Sequence, residues 1–272
     1  MLTQKSDLDG CFLTDKHRMV QSDDGSFTAY STEFDEHYHS TKDGALLESL
    51  QKHVIPALLH VSSKEEISIL DICFGLGFNT LATLYYMKKE GIKKRLTIYS
   101  PEFDKELIAS LKHFVYPEIF LEFKEIIDAV SETGGYRDDS LHVSLYLGDA
   151  REFLRECKHQ FDIVYQDAFS PSSNPILWTK EYFADIARVM KEDGILTTYS
   201  ISLATRLALH VSRFHIYLYE PKGCRSSTLA SLSTLKDYEA VDMSHKIACN
   251  PDAKPLSDLE IKSLQQGNKT LD

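Results

Sequence analysis

Three carboxylates each follow a short apolar run of the kind that forms a buried strand: Glu102, Asp149 and Asp167. A carboxylate at a strand end accepts hydrogen bonds, so Glu102 suits the hydroxyls of a ribose and Asp149 the amine of an adenine. Asp149 suits a helix N-cap equally well, and Asp104 can cap the helix that follows Glu102. Asp167 at a buried strand end needs a partner, which favours a functional role facing a ligand or an incoming amine.

A glycine loop follows the first predicted buried strand, between Asp71 and Thr80. Gly75 and Gly77 let the backbone turn tightly and approach a ligand, and Asn79 opens a helix whose free N–H groups suit an anion. Thr80 stands where the dinucleotide fingerprint has its third glycine, and the Gly-Lys-Ser/Thr of a phosphate loop is absent. An Asp before Gly-x-Gly more closely resembles the first motif of S-adenosylmethionine-dependent methyltransferases. A plain strand-to-helix turn is the alternative.

The most distinctive loop contains Asp167-Ala168-Phe169-Ser170-Pro171, then Asn174-Pro175 and Trp178. Its two prolines restrict the backbone and stiffen the loop. Trp178 is the only tryptophan, and we predict that it is a buried anchor for the following helix. We expect this loop to follow a strand beside the strand of the glycine loop.

Alternating strand and helix patterns must position these loops. The patterns predict helices at 45–59 (bent or limited near its end by Pro56), 79–91, 104–113, 150–157, 180–191 and up to about 212, and strands at 67–72, 96–100, 143–147, 161–165, 195–199, 214–219 and 227–232. Short strands near 27–30 and 37–40 predict a small β-rich N-terminal segment. This α/β alternation indicates a parallel sheet that binds ligands beyond the carboxyl ends of its strands.

Composition bounds the function. The chain has 272 residues, 30 Lys and Arg, 41 Asp and Glu and a net charge of −11, which is typical of a globular protein and argues against nucleic-acid binding by charge alone. No apolar run predicts a membrane span, and the N-terminus does not resemble a secretory signal. The five cysteines form no paired motif and the histidines, predicted to be mostly surface or strand residues, have no zinc-ligand spacing. We therefore expect a cytoplasmic enzyme without a metal.

Several blocks together resemble one family, the MnmC methyltransferase domains that modify the tRNA wobble uridine. The similar residues are the 167–171 loop with Asn174-Pro175, Trp178-Thr179, Phe183 and Ala187-Arg188, then Gly194, Leu196 and Thr198-Tyr199-Ser200, the glycine loop 74–79, the stretch 35–40 with Gly44-Ala45 and Glu48, and Gly223 with Arg225. The likeness covers roughly residues 30–232.

That resemblance implies an α/β, Rossmann-like S-adenosylmethionine-dependent methyltransferase with a small β-rich N-terminal extension. Its expected regions are the extension and first helix at 1–60, the methyltransferase domain at 61–235 and a polar C-terminal tail at 236–272. The substrate would be the 5-aminomethyl group of a wobble (2-thio)uridine in tRNA, bound transiently through the anticodon stem-loop, and the product its methylaminomethyl form. In bifunctional members a flavin-dependent oxidase domain makes that amine. This chain is too short to hold it, so we expect a functional link to other enzymes that supply the amine.

The resemblance and the loops together predict a role for each candidate residue. Asp167 is the predicted catalytic residue, which would hold the amine and take its proton. The predicted cofactor-binding residues are Gly75, Gly77, Asn79, Glu102, Gly148, Asp149, Tyr38 and Ser40, and the predicted substrate-binding residues are His39, Phe169, Pro171, Lys222 and Arg225.

Two other functions fit parts of the pattern. A spermidine synthase-like aminopropyltransferase would share the fold and the aspartate after the fourth strand, but the cofactor loop lacks a run of three glycines. A non-catalytic module could keep the fold and bind tRNA or a protein, although the intact set of glycines and carboxylates argues against it. The turn after Gly223 reads Cys-Arg-Ser-Ser, which is less basic than the family pattern and bears on tRNA docking.

Overall fold

The computed structural model describes residues 16–268 and forms two sheets. The strands are β1 His17–Gln21, β2 Phe27–Ser31, β3 Glu36–His37, β4 Glu66–Ile72, β5 Arg95–Glu102, β6 Gly135–Arg137, β7 Leu141–Leu147, β8 Phe161–Gln166, β9 Met190–Thr198, β10 His215–Tyr219, β11 Ser227–Ser231 and β12 Glu239–Ala240. The helices are α1 Ala45–Glu48, α2 Ile55–His60, α3 Phe78–Lys89, α4 Lys105–Ser110, α5 Lys124–Thr133, α6 Ala150–Glu156, α7 Lys180–Val189, α8 Leu203–Val211, α9 Met243–Cys249 and α10 Asp258–Asn268. A π-helical turn, Ser49–Val54, joins α1 to α2, and 3₁₀ turns cover Leu111–His113, Glu118–Phe123 and Pro175–Leu177.

The main sheet has nine strands in the order β12-β10-β11-β9-β8-β4-β5-β7-β6. Its centre is parallel, from β9 through β8, β4 and β5 to β7, whereas β6, β10, β11 and β12 pair antiparallel. The chain passes from β4 to β5 on one side and reaches β8 on the other, so the loops after β4 and β8 lie at the switch in strand order. The expected Rossmann-like α/β fold is confirmed, with antiparallel edges added to the predicted parallel sheet.

Helices cover both faces of this sheet because its central strands are apolar on both sides. Alternate residues of β4 divide between two cores: Ile67 and Ile69 pack with α3, and Leu70 and Ile72 pack with α7 and α8. The predicted position of β8 beside β4 is also confirmed, with Ile69 opposite Ile163 in the register. This pairing brings the glycine loop and the Asp167 loop to one edge of the sheet.

The N-terminal segment forms the predicted small sheet, in which β2 pairs with β1 and β3. The helical segment after it runs from Ala45 to His60 and does not end at Pro56, which occupies an early position of α2. Proline has no N–H to donate, and the π turn just before it changes the backbone bonding so that the helix continues. The predicted helix at 45–59 is therefore confirmed, and of the two effects predicted for Pro56, a bend or a limit, the limit is not seen.

Three predicted boundaries differ from the structure. Strand β5 continues through Pro101 to Glu102, and β9 already begins at Met190, so Asp193-Gly194 lies within a strand and does not end the preceding helix. The predicted tail after 235 is folded as far as it is described: β12 pairs with β10, and Met243 and Ile261 are buried. Isolated apolar residues in a polar stretch predicted these anchors too weakly. Within residues 16–268, no helix combines the length and apolar character needed to cross a bilayer.

Candidate active site

A cavity of about 720 Å³ lies at the carboxyl ends of β4, β5, β7 and β8, under the N-terminal segment. Its lining contains nine of the residues predicted from the sequence: Tyr38, His39, Ser40, Glu102, Gly148, Asp149, Asp167, Phe169 and Arg225. The fold thus brings together loops that are up to 187 residues apart in the chain (225 − 38 = 187). This is the edge at which an open parallel sheet binds its ligand.

Other predicted residues lie behind or beside this lining. The backbone N–H of Gly75 donates to Glu102 Oε2 at 2.9 Å, and the Asn79 side-chain amide donates to Asp167 Oδ2 at 2.9 Å. Pro171 is half-buried in the loop after Asp167, and Lys222 is exposed on the turn before β11, outside the cavity lining. Gly75 and Asn79 therefore support the carboxylates of the site from behind.

The glycine loop owes its shape to left-handed backbone conformations. Gly77 has a φ of 75°, and a Cβ there would lie 2.8 Å from the ring of Phe74. Gly75 has a φ of 55°, and a Cβ there would lie 3.1 Å from the ring of Tyr38. Cys73, which lines the cavity, has a φ of 63°, a conformation that side-chain-bearing residues adopt rarely. The two glycines are thus required for packing as well as for the turn.

Glu102 ends β5 as a buried carboxylate. Its oxygens accept hydrogen bonds from the backbone N–H groups of Gly75 at 2.9 Å and Asp104 at 2.8 Å. Burial raises the pKa of Glu102 although these bonds oppose the shift. Asp104 caps α4 by accepting from Glu106 and Leu107 N–H groups, as its alternative reading predicted. Glu102, with one face on the cavity, is thus the better placed of the two to receive a diol.

Asp149 has the N-cap role that the sequence offered as its alternative, and its place on the cavity wall leaves the adenine role a prediction. It caps α6 by accepting from the Arg151 N–H at 2.8 Å, and its other oxygen pairs with the Arg151 guanidinium at 2.8 Å. Although burial opposes ionisation, Arg151 holds the pKa of Asp149 below its ordinary value. The residue also lines the cavity beside Gly148, whose N–H donates to the Glu102 carbonyl at 2.9 Å. Capping therefore fixes the carboxylate at the cavity wall.

Asp167 directly follows β8 and is held from two sides. Asn79 donates to its Oδ2, and Nε2 of His53 lies 3.5 Å from its Oδ1. Burial alone would raise the pKa of Asp167, but His53, then His39 and Asn79, hold that pKa well below its ordinary value. A carboxylate in this setting stays ionised and accepts hydrogen bonds from a ligand amine.

The loop after Asp167 is rigid because buried side chains fix its backbone. Trp178 is fully buried, as predicted, and its Nε1 donates to the Phe169 carbonyl at 2.7 Å. Tyr199 donates through its hydroxyl to the Ala168 carbonyl at 2.9 Å. The Phe169 ring stacks on Phe34 at 4.6 Å between centroids and meets Tyr38 edge-on at 4.8 Å. These contacts make a preformed aromatic wall for a planar ligand group.

The N-terminal segment supplies a polar wall opposite the sheet. Tyr38 hydrogen-bonds through its hydroxyl to His17 at 2.8 Å, and His39 contacts Thr28 Oγ1 at 3.2 Å. The N–H of Ser40 donates to Glu48 Oε2 at 2.8 Å, so this stretch is tied to the helical segment. Burial lowers the pKa of His39 although Asp167 opposes the shift.

The sequence reasoning missed His53 and the Glu48–Lys52 pair. His53 is completely buried, an exception to the prediction that most histidines are surface or strand residues, and Lys52 Nζ donates to Glu48 Oε1 at 2.6 Å. Both features had a signal: His53 follows Leu50 by three residues on the apolar face of its helix, and Glu48 and Lys52 have i,i+4 spacing. A histidine on an apolar helix face is ambiguous until its partner is known.

Charge in the cavity is mainly negative. Among the described residues, eight carboxylates line it against three cations, of which Arg225 lies 3.4 Å from Asp43; the acids are Glu33, Glu36, Glu48, Glu102, Asp104, Glu106, Asp149 and Asp167, and the other cations are Lys16 and Lys105. Such a cavity favours a cationic ligand such as a sulfonium or an amine. Within residues 16–268, no group of three or more His, Cys, Asp or Glu side chains is arranged to hold a metal ion. The cysteines of this part of the chain are free thiols, and Cys11 lies outside it.

Comparisons with known proteins agree with this geometry. Residues 116–233 match a family model described as S-adenosyl-L-methionine-dependent methyltransferase. An uncharacterized protein of Methanocaldococcus jannaschii is 30% identical over 230 residues, which are 80% of this chain and 60% of that protein. The tRNA 5-methylaminomethyl-2-thiouridine biosynthesis bifunctional protein MnmC of Aromatoleum aromaticum is 31% identical over 216 residues, 74% of this chain and 33% of that protein. The chain thus spans three fifths and one third of these two relatives.

A solved structure extends the likeness to the fold. The crystal structure of MNMC2 from Aquifex aeolicus is 31% identical in sequence, with a TM-score of 0.77, and the match covers 89% of this chain and 79% of that one. These matches favour methyl transfer over aminopropyl transfer and over a non-catalytic module. The chain belongs to the MnmC family and is an S-adenosyl-L-methionine-dependent methyltransferase.

Proposed function

We propose that this methyltransferase methylates the nitrogen of the 5-aminomethyl group of a wobble (2-thio)uridine in tRNA, giving the 5-methylaminomethyl form. The observation that carries the proposal is the half-buried Asp167, whose pKa is held low, beside the aromatic wall of Phe169, in a chain related to proteins named for 5-methylaminomethyl-2-thiouridine biosynthesis. A fixed carboxylate selects an amine, and an aromatic face selects a base.

The cavity has groups that fit each part of S-adenosylmethionine. Glu102 would receive the ribose hydroxyls, and Asp149 and Gly148 the adenine. Gly75, Gly77 and Asn79 lie behind the lining and would shape the place for the methionine part, Gly75 by holding Glu102 and Asn79 by holding Asp167. The side-chain carbonyl oxygen of Asn79 is buried without a hydrogen-bond partner among the described residues, so it is open to a donor from a ligand. Tyr38 and Ser40 close the cavity from the N-terminal segment.

Bound S-adenosylmethionine supplies an electrophilic methyl group to the attacking amine. The protein aligns the nucleophile and excludes water, which together account for most of the acceleration in such a displacement. Asp167 accepts a hydrogen bond from the amine and orients its lone pair. Because its pKa is held well below the ordinary value, Asp167 is a weak base. We therefore propose that Asp167 orients the amine and does not serve as the general base that keeps its proton.

The wobble base must leave the anticodon stack to reach this cavity. Phe169 offers a stacking face at the cavity wall. His39 lines the same cavity from the N-terminal segment, and the half-buried Pro171 lies two residues after Phe169 in the loop that follows Asp167. Arg225 at the rim and Lys222 on the same turn are exposed and suit phosphates of the anticodon stem-loop. The proposed partner is therefore tRNA that already carries the aminomethyl group and is bound transiently.

Transfer of a labelled methyl group tests the proposal. Purified protein receives methyl-labelled S-adenosylmethionine and tRNA from cells that lack this protein, with putrescine and tRNA from normal cells as controls. We expect label in the wobble nucleoside of the deficient tRNA alone, as methylaminomethyl uridine with or without the 2-thio group. Label at another nucleoside, or none in a preparation that binds the cofactor by calorimetry, would refute the proposed substrate.

A further inference from the structure

His53 occupies a position that neither folding nor cofactor binding explains. It is completely buried, and its Nδ1 lies 2.8 Å from the Thr197 hydroxyl on β9. Its Nε2 points at Asp167 Oδ1, 3.5 Å away, and has no closer hydrogen-bond partner among the described residues. A histidine buried for packing alone would satisfy both nitrogens with nearby groups. Here one nitrogen is left for the catalytic carboxylate.

The backbone that carries His53 is also unusual. The π turn Ser49–Val54 places one extra residue in the helix between α1 and α2. Turns of this kind are rare and are frequently found at functional sites. In this protein the turn places the His53 side chain beside Asp167, at the carboxyl end of β8.

We propose that His53 is a positioning residue for methyl transfer: the Thr197 hydroxyl donates to Nδ1, which leaves the imidazole proton on Nε2, directed at Asp167 Oδ1. Asn79 fixes the other oxygen of the same carboxylate at 2.9 Å. Asp167 is then held at both oxygens in one orientation, with its remaining lone pairs open to the cavity. The inference rests on the proposed function, since it concerns how Asp167 receives the amine.

The distance of 3.5 Å is at the outer limit of a hydrogen bond, and such bonds commonly shorten when substrate binds. Other titratable groups around Asp167 are His39 from the N-terminal segment, Asp71 and Cys73 from β4 and its loop, and Tyr199 after β9. Of all these titratable groups, only His53 and His39 favour the ionised form of Asp167. Asp71, Cys73 and Tyr199 do not. Removing His53 therefore shifts the titration of Asp167 upward.

Three substitutions test this role in the whole chain. His53→Leu removes the donor, His53→Gln keeps an N–H near the position of Nε2, and Thr197→Val removes the hydroxyl while retaining volume. We expect His53→Leu to lower kcat about 10- to 100-fold, the worth of a charge-assisted hydrogen bond, with the Kd of S-adenosylmethionine within about threefold of wild type. His53→Gln should recover most of the loss, and the acid limb of the kcat/KM profile should move to higher pH in His53→Leu.

A matched control is His60→Leu, a half-buried histidine of the same helical segment that contacts the Asp193 carbonyl outside the cavity lining, and this variant should retain the wild-type kcat. Equal losses in His53→Gln and His53→Leu, an unmoved pH profile, or a loss explained by weaker cofactor binding would overturn the positioning role. The pKa of Asp167, followed by carboxyl ¹³C NMR in wild type and Thr197→Val, is independent of any substrate. If wild type fails to methylate tRNA, the proposed substrate is wrong. An unchanged Asp167 pKa in Thr197→Val would reject the positioning role of His53 independently of the substrate.

Discussion

Carboxylates in this site have different protonation tendencies because their surroundings differ. Asp167 accepts from Asn79 and faces two histidines, so its pKa is low. Asp71, near the carboxyl end of β4, is 1% exposed, and burial raises its pKa to about 8 even though the Thr80 hydroxyl donates to it at 2.9 Å. Residue type alone predicts none of these differences, since each comes from burial and from neighbours on other elements.

Replacement of Asp167 tests the role of the carboxylate. Asp167→Ala should retain cofactor binding, because the cofactor contacts assigned here belong to other residues, and should lose most turnover. A loss of about 100-fold or more in kcat is expected for a group that orients the nucleophile. Kinetics with labelled S-adenosylmethionine, alongside calorimetry, measure both quantities. Asp185→Ala, an exposed acid on α7, serves as the control, and near-normal turnover in Asp167→Ala would exclude a catalytic role.

The raised pKa of Asp71 predicts how stability depends on pH. Between its ordinary pKa of 3.8 and the folded value of about 8, the folded state holds a proton that the unfolded state releases. This contribution to the free energy of unfolding is complete below the lower value and is lost as the pH rises through the upper one. Wild type should therefore lose stability toward alkaline pH.

Asp71→Asn should remove that slope. As the pH rises through this window, the unfolding free energy of wild type should fall relative to that of the variant, by at most about 1.4 kcal/mol per pH unit. Urea denaturation at several pH values measures it. A difference that stays constant from about pH 5 to about pH 8 would show that Asp71 ionises normally in the folded protein.

At the scale of elements, the glycine loop shows how one turn serves both packing and binding. Its left-handed residues direct α3 away from β4 and leave the Gly75 N–H to hold Glu102. The space around each glycine differs, however. A Cβ on Gly77 would meet Phe74 at 2.8 Å, whereas a Cβ on Gly91, at the end of α3, would have no described atom within 4 Å.

Substitution at these two glycines separates backbone strain from steric clash. Gly77 and Gly91 have φ values of 75° and 65°, so alanine at either costs about 1 kcal/mol from the left-handed conformation. Gly77→Ala should cost roughly 1–3 kcal/mol more, from overpacking against Phe74, and should weaken binding of S-adenosylmethionine. Denaturation and calorimetry on both variants measure this. Equal stability and equal affinity in the two variants would mean that the loop adapts and that the clash has no role.

At the scale of the whole molecule, an acidic protein must bind an acidic nucleic acid. The net charge of −11 and the acidic cavity suit a cationic cofactor and an amine, so attraction to phosphates must come from local cations. Arg225 has a side chain that is 74% exposed and lies at the cavity rim, beside Asp43. We therefore expect tRNA contact to be local and modest.

The salt dependence of tRNA binding measures that contact. Arg225→Ala should weaken tRNA binding and reduce the slope of log K against log salt by about 0.7–0.9, the value for one phosphate contact. Arg137→Ala, an exposed arginine on edge strand β6, should leave the slope unchanged. Fluorescence titration of an anticodon stem-loop at several salt concentrations gives both slopes. If the two variants behave alike, the C-terminal turn is not the docking surface.

Elements with strong local signals followed from the sequence alone. The strands β4, β5, β7 and β8 were predicted because short apolar runs bounded by turn residues are typical of buried parallel strands. The glycine loop and the carboxylates after these strands then had to meet at one edge, since parallel strands share their carboxyl ends. Local periodicity thus determined the fold class and the edge of the sheet at which the cavity lies.

Only the tertiary structure decided which side chains meet Asp167 and what its ionisation is. His53 is 114 residues away in sequence (167 − 53 = 114), and it lies in a π turn, Ser49–Val54, that no local pattern predicted. The folded C-terminal segment likewise depends on partners on β10 and α7, which no local pattern names. Pairings between distant segments are set by the burial of whole surfaces, so the sequence determined which residues can do chemistry, and the fold decided which of them do it together.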